Sequence, residues 1–218
     1  MTEPIAFAGA SERVEPNGAR VRPSLQVLHN LPAGIRKQVR VADSMRLSRA
    51  LALGPNLPAL DWGATHEVLG FGADGFALSA ARSAHSLEEP HPVVWIGQAR
   101  DVRTLRPEGV AAFIPPASLI LVEAGRRSEV LWAAEQTLAA PAQAVVIVQL
   151  DQGPNLAESR RLQVAAETGG SLGIVTLQRA RSSTCQTRWE CKPGPCGWEW
   201  KLTKNKSGQL GAWTRERL

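Results

Sequence analysis

Features of membrane and secreted proteins are scarce in this sequence. Its apolar runs, such as residues 144–148, fall far short of the roughly 18 residues that cross a bilayer. Its first residues carry acidic side chains and Pro16, where a secretory signal has a basic start and an apolar stretch. Its three cysteines are an odd set confined to the C-terminal tail, which does not suit a disulfide framework. We therefore expect a cytoplasmic protein with no membrane contact.

Glycine and proline, 19 and 15 of 218 residues, are too few for a fibrous or low-complexity chain. The length suits one domain of about 150 to 200 residues with short appendages. Residues 1–50 have 8 Lys/Arg against 4 Asp/Glu, residues 51–178 have 8 against 13, and residues 179–218 have 9 against 3. The two basic ends, rather than the acidic middle, are therefore expected to meet polyanions or acidic partners.

The first 58 residues differ in composition from the rest. Residues 1–23 are small, polar and proline-bearing, and we expect them to be disordered. Residues 24–58 predict a basic amphipathic helical segment, with its main helix near 35–53, followed by a linker. The polar face of that helix carries Arg36, Lys37 and Arg40. Such a helix either packs on its own domain or docks on a partner.

Residues 59–218 alternate apolar runs with amphipathic stretches, which predicts an α/β core with a mainly parallel central sheet between helices. Strands are expected in THEVLG, in PVVWIG, near 119–122, in AVVIVQL and in GIVTLQ. Helices are expected over 76–85, 128–140 and 155–167. After Arg179, large and polar residues alternate around glycines. Residues 179–218 therefore predict a basic extension of two or three antiparallel strands at one edge of the sheet.

The loop after the first core strand has the frame of a phosphate-binding loop, with four residues between Gly70 and Gly75 before a helix. Such a loop needs a lysine for the outer phosphates and a hydroxyl for Mg²⁺, but Phe76 and Ala77 occupy those positions. Asp74 would also place a carboxylate against incoming phosphates. A tight turn without ligand is the favoured interpretation, ahead of weak anion binding and of hydrolysis.

Several segments between about residues 60 and 218 together resemble the ImuA family, bacterial RecA-like accessory proteins of damage-induced mutagenesis. They are GATHEVLG, PVVWIG, SEVLWAAEQTL, AESRRLQVAAETGGSLGIV, TRW and WKLTKNKSGQLGAW. The segments SRRLQVAAE, TRW and KNKSGQLG are the most specific of these. The resemblance implies a RecA-like three-layer core over residues 59–218.

The RecA core, compared position by position, implies that the hydrolytic groups are missing. Its phosphate-loop lysine and hydroxyl fall on Phe76 and Ala77, and its general-base glutamate falls near Gln98 or Ala99. Its metal-associated aspartate falls near Gln149, with Asp151 two residues further on. Phosphoryl transfer depends on these groups for positioning and charge stabilisation. The resemblance therefore implies a protein that is not an enzyme and needs no cofactor or metal.

The same resemblance implies partners and contact residues. The partners would be an ImuB-like inactive polymerase subunit and, through it, an error-prone replicative-type DNA polymerase and the sliding clamp of translesion synthesis. RecA, DNA and a second copy of the chain are further candidates, and a role in the SOS response would bring the protein to the nucleoid. Lysines of the RecA core that sense nucleotide across a subunit interface match Lys204 and Lys206. The predicted contact residues for nucleic acid or partner are Arg188, Lys201, Lys204, Lys206, Arg36, Lys37 and Arg40.

Other interpretations stay open. The protein could be a nucleotide-dependent, recombinase-like DNA-binding ATPase, or a SulA-like inhibitor of cell division, which is another RecA-like fold without a phosphate loop. The tryptophans of the basic tail suit a sheet face or interface better than base stacking. Cys185, Cys191 and Cys196 are spaced too widely for usual zinc pairs and lack a nearby fourth ligand, so plain reduced thiols are favoured over zinc.

Overall fold

The structure is a computed structural model of the chain and describes residues 50–208 and 210–216. The expected disordered segment 1–23 and residues 24–49 of the helical segment, with Arg36, Lys37 and Arg40, lie outside the described residues. Within the described part, the predicted helix does not continue to residue 53. Ala50–Leu51 forms strand β1, which pairs antiparallel with strand β2, Leu60–Asp61. Leu51 and Leu53 are both buried, the period of two that an extended chain shows.

The remaining strands form one sheet of eight strands in the order β10-β9-β8-β3-β7-β6-β4-β5. They are β3 Ala64–Leu69, β4 Val93–Gln98, β5 Leu119–Ala124, β6 Val145–Gln152, β7 Leu172–Arg179, β8 Thr187–Gly194, β9 Gly197–Asn205 and β10 Gly211–Glu216. The helices are α1 Ala73–His85, α2 Ala99–Val102, α3 Pro107–Ala111, α4 Arg127–Ala139 and α5 Leu156–Gly169, with a 3₁₀ turn at Pro116–Ser118. The predicted α/β class, with a mostly parallel central sheet and antiparallel strands at the C-terminal end, is confirmed.

The C-terminal extension joins the parallel part of the sheet through strand β8. Strand β8 runs parallel to β3 on one side and antiparallel to β9 on the other, and β10 runs antiparallel to β9. The segment after β7 returns to the amino end of β3 before β8 begins, as the bond from the Gln186 amide to the Thr65 carbonyl shows (2.8 Å). Strand β8 therefore runs in the same direction as β3. The predicted extension of two or three antiparallel strands is the β8–β9–β10 meander at this edge of the sheet.

Successive side chains of the central strands point to opposite faces of the sheet and pack into two separate hydrophobic clusters, one on each face. Trp95 and Ile147 face helix α1 and join Phe76 in the first cluster. Ile96 and Val148, one residue along, belong to the second cluster with residues of α4 and α5. A parallel sheet covered on both faces in this way explains the continuous Val/Ile/Leu runs in the sequence.

Two helix ends show why the predicted boundaries shift by a few residues. Helix α5 begins after Asn155, whose side chain accepts from the Glu158 amide while Glu158 bonds back to the Asn155 amide (both 2.9 Å). It ends at Gly170, which has φ +67°, a conformation that suits glycine. Helix α1 starts at Ala73, three residues before the predicted start, because Phe76 already donates to the Gly72 carbonyl (2.9 Å). In the part of the chain that the structure describes, no helix is both long and apolar enough to cross a membrane.

Candidate functional site

The glycine loop between β3 and α1 is pressed against the β8–β9 hairpin. Gly70 has φ +94°, and a Cβ there would lie 2.3 Å from the carbonyl oxygen of Cys191 on β8. A Cβ on Gly72 would lie 2.8 Å from the ring of Trp198 on β9. The glycines are thus required by close packing between protein segments. A phosphate group is not needed to explain them.

Two amide N–H groups of the loop, which in a phosphate-binding loop would point at the anion, donate hydrogen bonds to carbonyl groups of the protein instead. The Gly72 amide donates to the Cys191 carbonyl (3.2 Å), and the Ala73 amide donates to the Gly70 carbonyl (3.0 Å). A phosphate-binding loop works by pointing such N–H groups at the anion. Here Gly75, the second glycine of the frame, lies within the first turn of α1, and a Cβ there would meet nothing within 4 Å.

Phe76 and Ala77 are both fully buried, at 0% exposure. The Phe76 ring packs at tilted angles against Trp189 (5.2 Å between ring centroids) and Trp200 (4.7 Å). The side chain at the lysine position therefore points into the aromatic core between α1 and the C-terminal strands. Replacing it with a lysine would bury a charge rather than aim it at a ligand.

Asp74 stands in the first turn of α1, at the place where an anion would approach the helix N-terminus. Its carboxyl group is half-buried, and burial raises its pKa above the ordinary value. No hydrogen bond or ion pair joins this carboxyl group to another of the described residues. A phosphate at this end of the helix would meet a carboxylate that no basic side chain within residues 50–208 and 210–216 pairs with.

The strand ends beside the loop hold few acidic groups for catalysis. Asp151 at the end of β6 forms an ion pair with Arg100 (2.7 Å), and both side chains are more than half exposed. Gln149 accepts a hydrogen bond from the indole of Trp95 (3.1 Å), and Gln98 donates to the Gly125 carbonyl (3.3 Å). Nowhere in residues 50–208 and 210–216 are three His, Cys, Asp or Glu side chains grouped to hold a metal ion.

Three of the four predicted basic contact residues in the tail bind groups of their own chain. Arg188 pairs with the buried carboxylate of Glu67 (2.7 Å), which is 1% exposed, and also donates to the Ser183 hydroxyl (3.0 Å). Lys204 donates to the Ser183 carbonyl (2.8 Å), and Lys206 donates to the Thr184 carbonyl. These residues hold the segment between β7 and β8 in place.

Lys201, the fourth, is exposed on β9 and lies opposite Glu190 of β8 in the sheet register. Beside this pair, Lys192 forms an ion pair with Glu199 (3.0 Å). Positive charge on this face of the extension is therefore partly matched by carboxylates. Contact between the tail lysines and DNA or a partner stays a prediction.

The cysteines and tail tryptophans have mainly structural positions. Cys185 and Cys191 are buried, Cys196 is exposed, and all three are free thiols. Burial raises the pKa of both buried thiols, so neither carries a thiolate at neutral pH. Trp189 and Trp200 are 0% and 3% exposed, which confirms the predicted core position for these two.

The sequence pattern missed a group of residues at the carboxyl ends of the parallel strands. We call this surface the carboxyl rim and define it as residues 70–72, 98–103, 125–127, 151–155 and 178–183. Phe71, in the glycine loop, is 91% exposed, and Arg179 and Arg181 are exposed at the end of β7. The sequence feature that could have indicated an exposed side chain here is a phenylalanine between two glycines in a turn.

These observations define an α/β protein whose glycine loop keeps the strand–loop–helix arrangement, with Phe76 and Ala77 at the positions where a phosphate-binding loop has a lysine and a hydroxyl. No protein-family model matches the chain. It is similar to the curated proteins named Protein ImuA from two strains of Caulobacter vibrioides. In both cases the identity is 27% over an alignment of 192 residues, covering 73% of this chain and 76% of the relative. This distant similarity supports the resemblance to the ImuA family.

Proposed function

We propose that this protein is a non-catalytic, RecA-like subunit of an error-prone translesion-synthesis assembly that acts by docking proteins in damage-induced mutagenesis. The similarity to ImuA supports the role in mutagenesis. The observation that supports a non-catalytic role is the position of Phe76. This side chain stands where a phosphate-binding loop has its lysine, and it is fully buried in contact with two tryptophans.

Loss of hydrolysis follows from the chemistry of phosphoryl transfer. That reaction needs a lysine or equivalent on the outer phosphates, a bound metal and a residue that orients the nucleophile. The corresponding positions hold Phe76, Ala77 and Gln98, and Asp151 is engaged by Arg100. A half-buried carboxyl group at Asp74 opposes phosphate binding at the helix N-terminus.

Docking is supported by the outer edge of the sheet at β5. This strand has a partner on one side, β4, and no strand beside its other edge among the described residues. Ile120 and Leu121 on β5 are 55% and 50% exposed, and Trp132 on the flanking helix α4 is 64% exposed. An open edge with apolar side chains is a template for pairing with another chain. The proposed partner is an ImuB-like inactive polymerase subunit, with the polymerase and sliding clamp reached through it.

The nucleotide part is tested by measuring the binding of labelled ATP with Mg²⁺ to the purified protein, with and without single-stranded DNA. A known nucleotide-binding protein is the positive control. We expect no saturable binding in either condition. Saturable, Mg²⁺-dependent binding would contradict the proposal and would favour the recombinase-like ATPase instead.

The docking part is tested by capture of the ImuB-like partner on immobilised protein. Ile120→Glu and Leu121→Glu place charges on the exposed edge without disturbing the core, and we expect the double variant to lose capture. Leu87→Glu is the matched control, because Leu87 is 42% exposed and lies in the turn after the end of α1, outside strand β5. Equal capture by the double variant and the control would remove the β5 edge from the docking role.

A further inference from the structure

A cavity of about 570 Å³ opens at the amino ends of the parallel strands, on the side of the sheet opposite the carboxyl rim. Three segments line it: residues 89–92 at the start of β4, residues 141–143 before β6 and residues 167–170 before β7. We call this cavity the amino-edge pocket. Its volume lies within the range of small-molecule sites, roughly 300–1,000 Å³.

The amino-edge pocket has acidic side chains in its lining and no lysine or arginine. Glu89 is exposed and forms no hydrogen bond or ion pair within residues 50–208 and 210–216. Glu167 accepts a hydrogen bond from the side-chain amide of Gln163 (3.0 Å). Its ion pair with Arg160 is long, at 3.9 Å, and both side chains are more than half exposed. The negative charge of the lining is therefore only weakly compensated.

Two long helices end at this pocket without a basic residue. Helix α4 ends just before the 141–143 segment, and the last turn of α5 belongs to the 167–170 segment. Neither last turn contains a basic side chain, whereas the last turn of α1 contains Arg82 and His85. The carbonyl groups at a helix C-terminus carry partial negative charge, which a nearby cation stabilises. Glu167 adds a carboxylate to the last turn of α5, where the helix dipole disfavours it.

The two helix ends also lie against each other. A Cβ on Gly169 of α5 would collide with the carbonyl groups of Leu138 and Ala140 at the end of α4. The negative ends of both helices are therefore concentrated at one place in the molecule. A cation bound there would interact with both dipoles at once.

The remaining walls of the pocket are rings with little charge. Pro90, Pro92 and Pro141 line it, and the ring of His91 packs on that of Trp62 (4.5 Å between centroids). Within the described residues, no three His, Cys, Asp or Glu side chains are grouped to hold a metal ion. Apolar rings between carboxylates suit a cation that has a carbon chain better than they suit a metal ion.

We infer that the amino-edge pocket binds an organic cation that carries a guanidinium or primary ammonium group. The charged group meets Glu89, Glu167 and the ends of α4 and α5, and the carbon chain lies along the prolines. Two sources present this chemistry, a free polyamine and a lysine or arginine side chain of another protein. The chain has a net charge of +5, which disfavours non-specific binding of cations. The inference goes beyond the proposed function and does not depend on docking at β5.

The test is isothermal titration calorimetry of the full chain with two probes, spermidine and a blocked glycine–arginine–glycine tripeptide. We expect saturable binding that weakens as the salt concentration rises, because the site attracts the cation by charge. Tighter binding of spermidine would identify a free polyamine as the ligand class. Tighter binding of the tripeptide would identify a basic side chain of a protein. Either order supports the inference.

Three variants change the charge of the pocket. Glu89→Gln and Glu167→Gln should each weaken binding by up to about 5-fold, the value of one partly exposed ion pair, and the double variant should bind more weakly still. The glutamine at position 167 keeps an oxygen that can accept from Gln163. Ala142→Lys places an ammonium group in the lining itself and should abolish binding of the added cation.

Two acidic residues outside the lining provide matched controls. Glu88→Gln and Glu108→Gln remove exposed carboxylates, and neither residue lines the pocket. These variants and their double combination should bind both probes as tightly as the wild type. All five substituted side chains are exposed, so circular dichroism should show the same fold for every variant.

The inference is overturned if neither probe binds the wild-type protein saturably at low salt. It is equally overturned if the double variant of Glu89 and Glu167 binds as tightly as the double variant of Glu88 and Glu108. Saturable binding of Mg²⁺ without binding of either probe would also overturn it and assign the pocket to a metal ion. The β5 variants should bind both probes normally, which separates a failure of this inference from a failure of the docking proposal.

Discussion

The ring of Phe76 lies 4.7 Å from the ring of Trp200, and this contact joins the first turn of α1 to strand β9 of the C-terminal extension. The residue at the lysine position of the phosphate-loop frame is therefore a core residue that attaches the extension to the parallel sheet. The contacts of Phe76 with Trp200 and Trp189 explain why these two tail tryptophans are buried rather than free to meet a ligand.

Removing the Phe76 ring should destabilise the fold strongly. Phe76→Ala leaves a cavity among Trp189, Trp200 and the α1 backbone, and deletions of this kind cost about 3–5 kcal/mol. Urea unfolding followed by tryptophan fluorescence measures the loss. Phe113→Ala is the control, because Phe113 is only partly buried at the edge of the same cluster. A loss below about 1 kcal/mol for Phe76→Ala would contradict the buried position.

Gly70 and Gly75 should respond oppositely to alanine. Gly70→Ala forces a φ of +94° on an alanine and brings its Cβ onto the Cys191 carbonyl, so we expect a loss of about 1–3 kcal/mol or more. Gly75→Ala lies within α1 with open space around the new Cβ, and it should gain about 0.5–1 kcal/mol from helix propensity. The measurement is thermal unfolding of both variants and the wild type, which gives the sign of each change in stability. Equal effects would show that the loop does not pack on β8.

The ion pair between Arg188 and Glu67 should contribute more to the free energy of unfolding than the surface ion pairs do. Arg188→Gln leaves the Glu67 carboxylate uncompensated at 1% exposure, and breaking such a pair costs about 3–5 kcal/mol. Since Arg188 is itself 20% exposed, we expect the lower end of that range. Lys192→Gln breaks the exposed pair with Glu199 and should cost at most about 1 kcal/mol. In a double-mutant cycle, adding Glu67→Gln to Arg188→Gln should recover part of the loss. Independent, additive effects would argue against the pair.

His66 should make the protein sensitive to mild acid. Its ring is fully buried, with one nitrogen bonded to the Thr187 hydroxyl (2.7 Å) and the other to the Asp61 carbonyl (3.1 Å). Burial lowers its pKa from 6.5 to about 4. Below pH 6.5 the unfolded chain therefore binds more protons than the folded one. Stability is lost as the pH falls from 6.5 through 4, by on the order of 3 kcal/mol at ~1.36 kcal/mol per pKa unit.

The measurement is the free energy of unfolding at a series of pH values between 4 and 7. His66→Gln should be less stable at pH 7, because its amide replaces the two ring bonds imperfectly, but it should lose less stability over that pH range. The same slope in wild type and His66→Gln would assign the acid sensitivity to other groups.

Much of the secondary structure follows from the sequence pattern alone. The runs PVVWIG and AVVIVQL became β4 and β6. The helix expected over 128–140 became α4, which buries Val130, Ala134 and Leu138. These signals are local, since apolar periodicity of two or 3.6 depends only on neighbouring residues. The boundaries moved by one to three residues because caps and turn bonds, such as that from Phe76 to the Gly72 carbonyl, decide where a helix starts.

For the candidate site, the sequence predicted only which side chains the glycine loop lacks. The sequence shows that Phe76 and Ala77 cannot serve as a phosphate-loop lysine and hydroxyl. It does not show that the loop glycines pack on Cys191 and Trp198, which are more than a hundred residues away. It also did not show that Lys204 and Lys206 bind carbonyl groups of the segment before β8. A pattern of charges states which groups are present, but contacts across the sheet decide which of them remain free.

The sequence by itself determined the α/β class, the order of most strands and helices along the chain, and the absence of a lysine and a hydroxyl at positions 76 and 77. Tertiary structure alone decided that β8 runs parallel to β3, that Phe76 belongs to the core, and that Arg188 pairs with the buried carboxylate of Glu67. The physical reason is that residue type and local periodicity are properties of short segments. Strand direction, burial and charge pairing arise only when distant segments of the chain compete for the same partners.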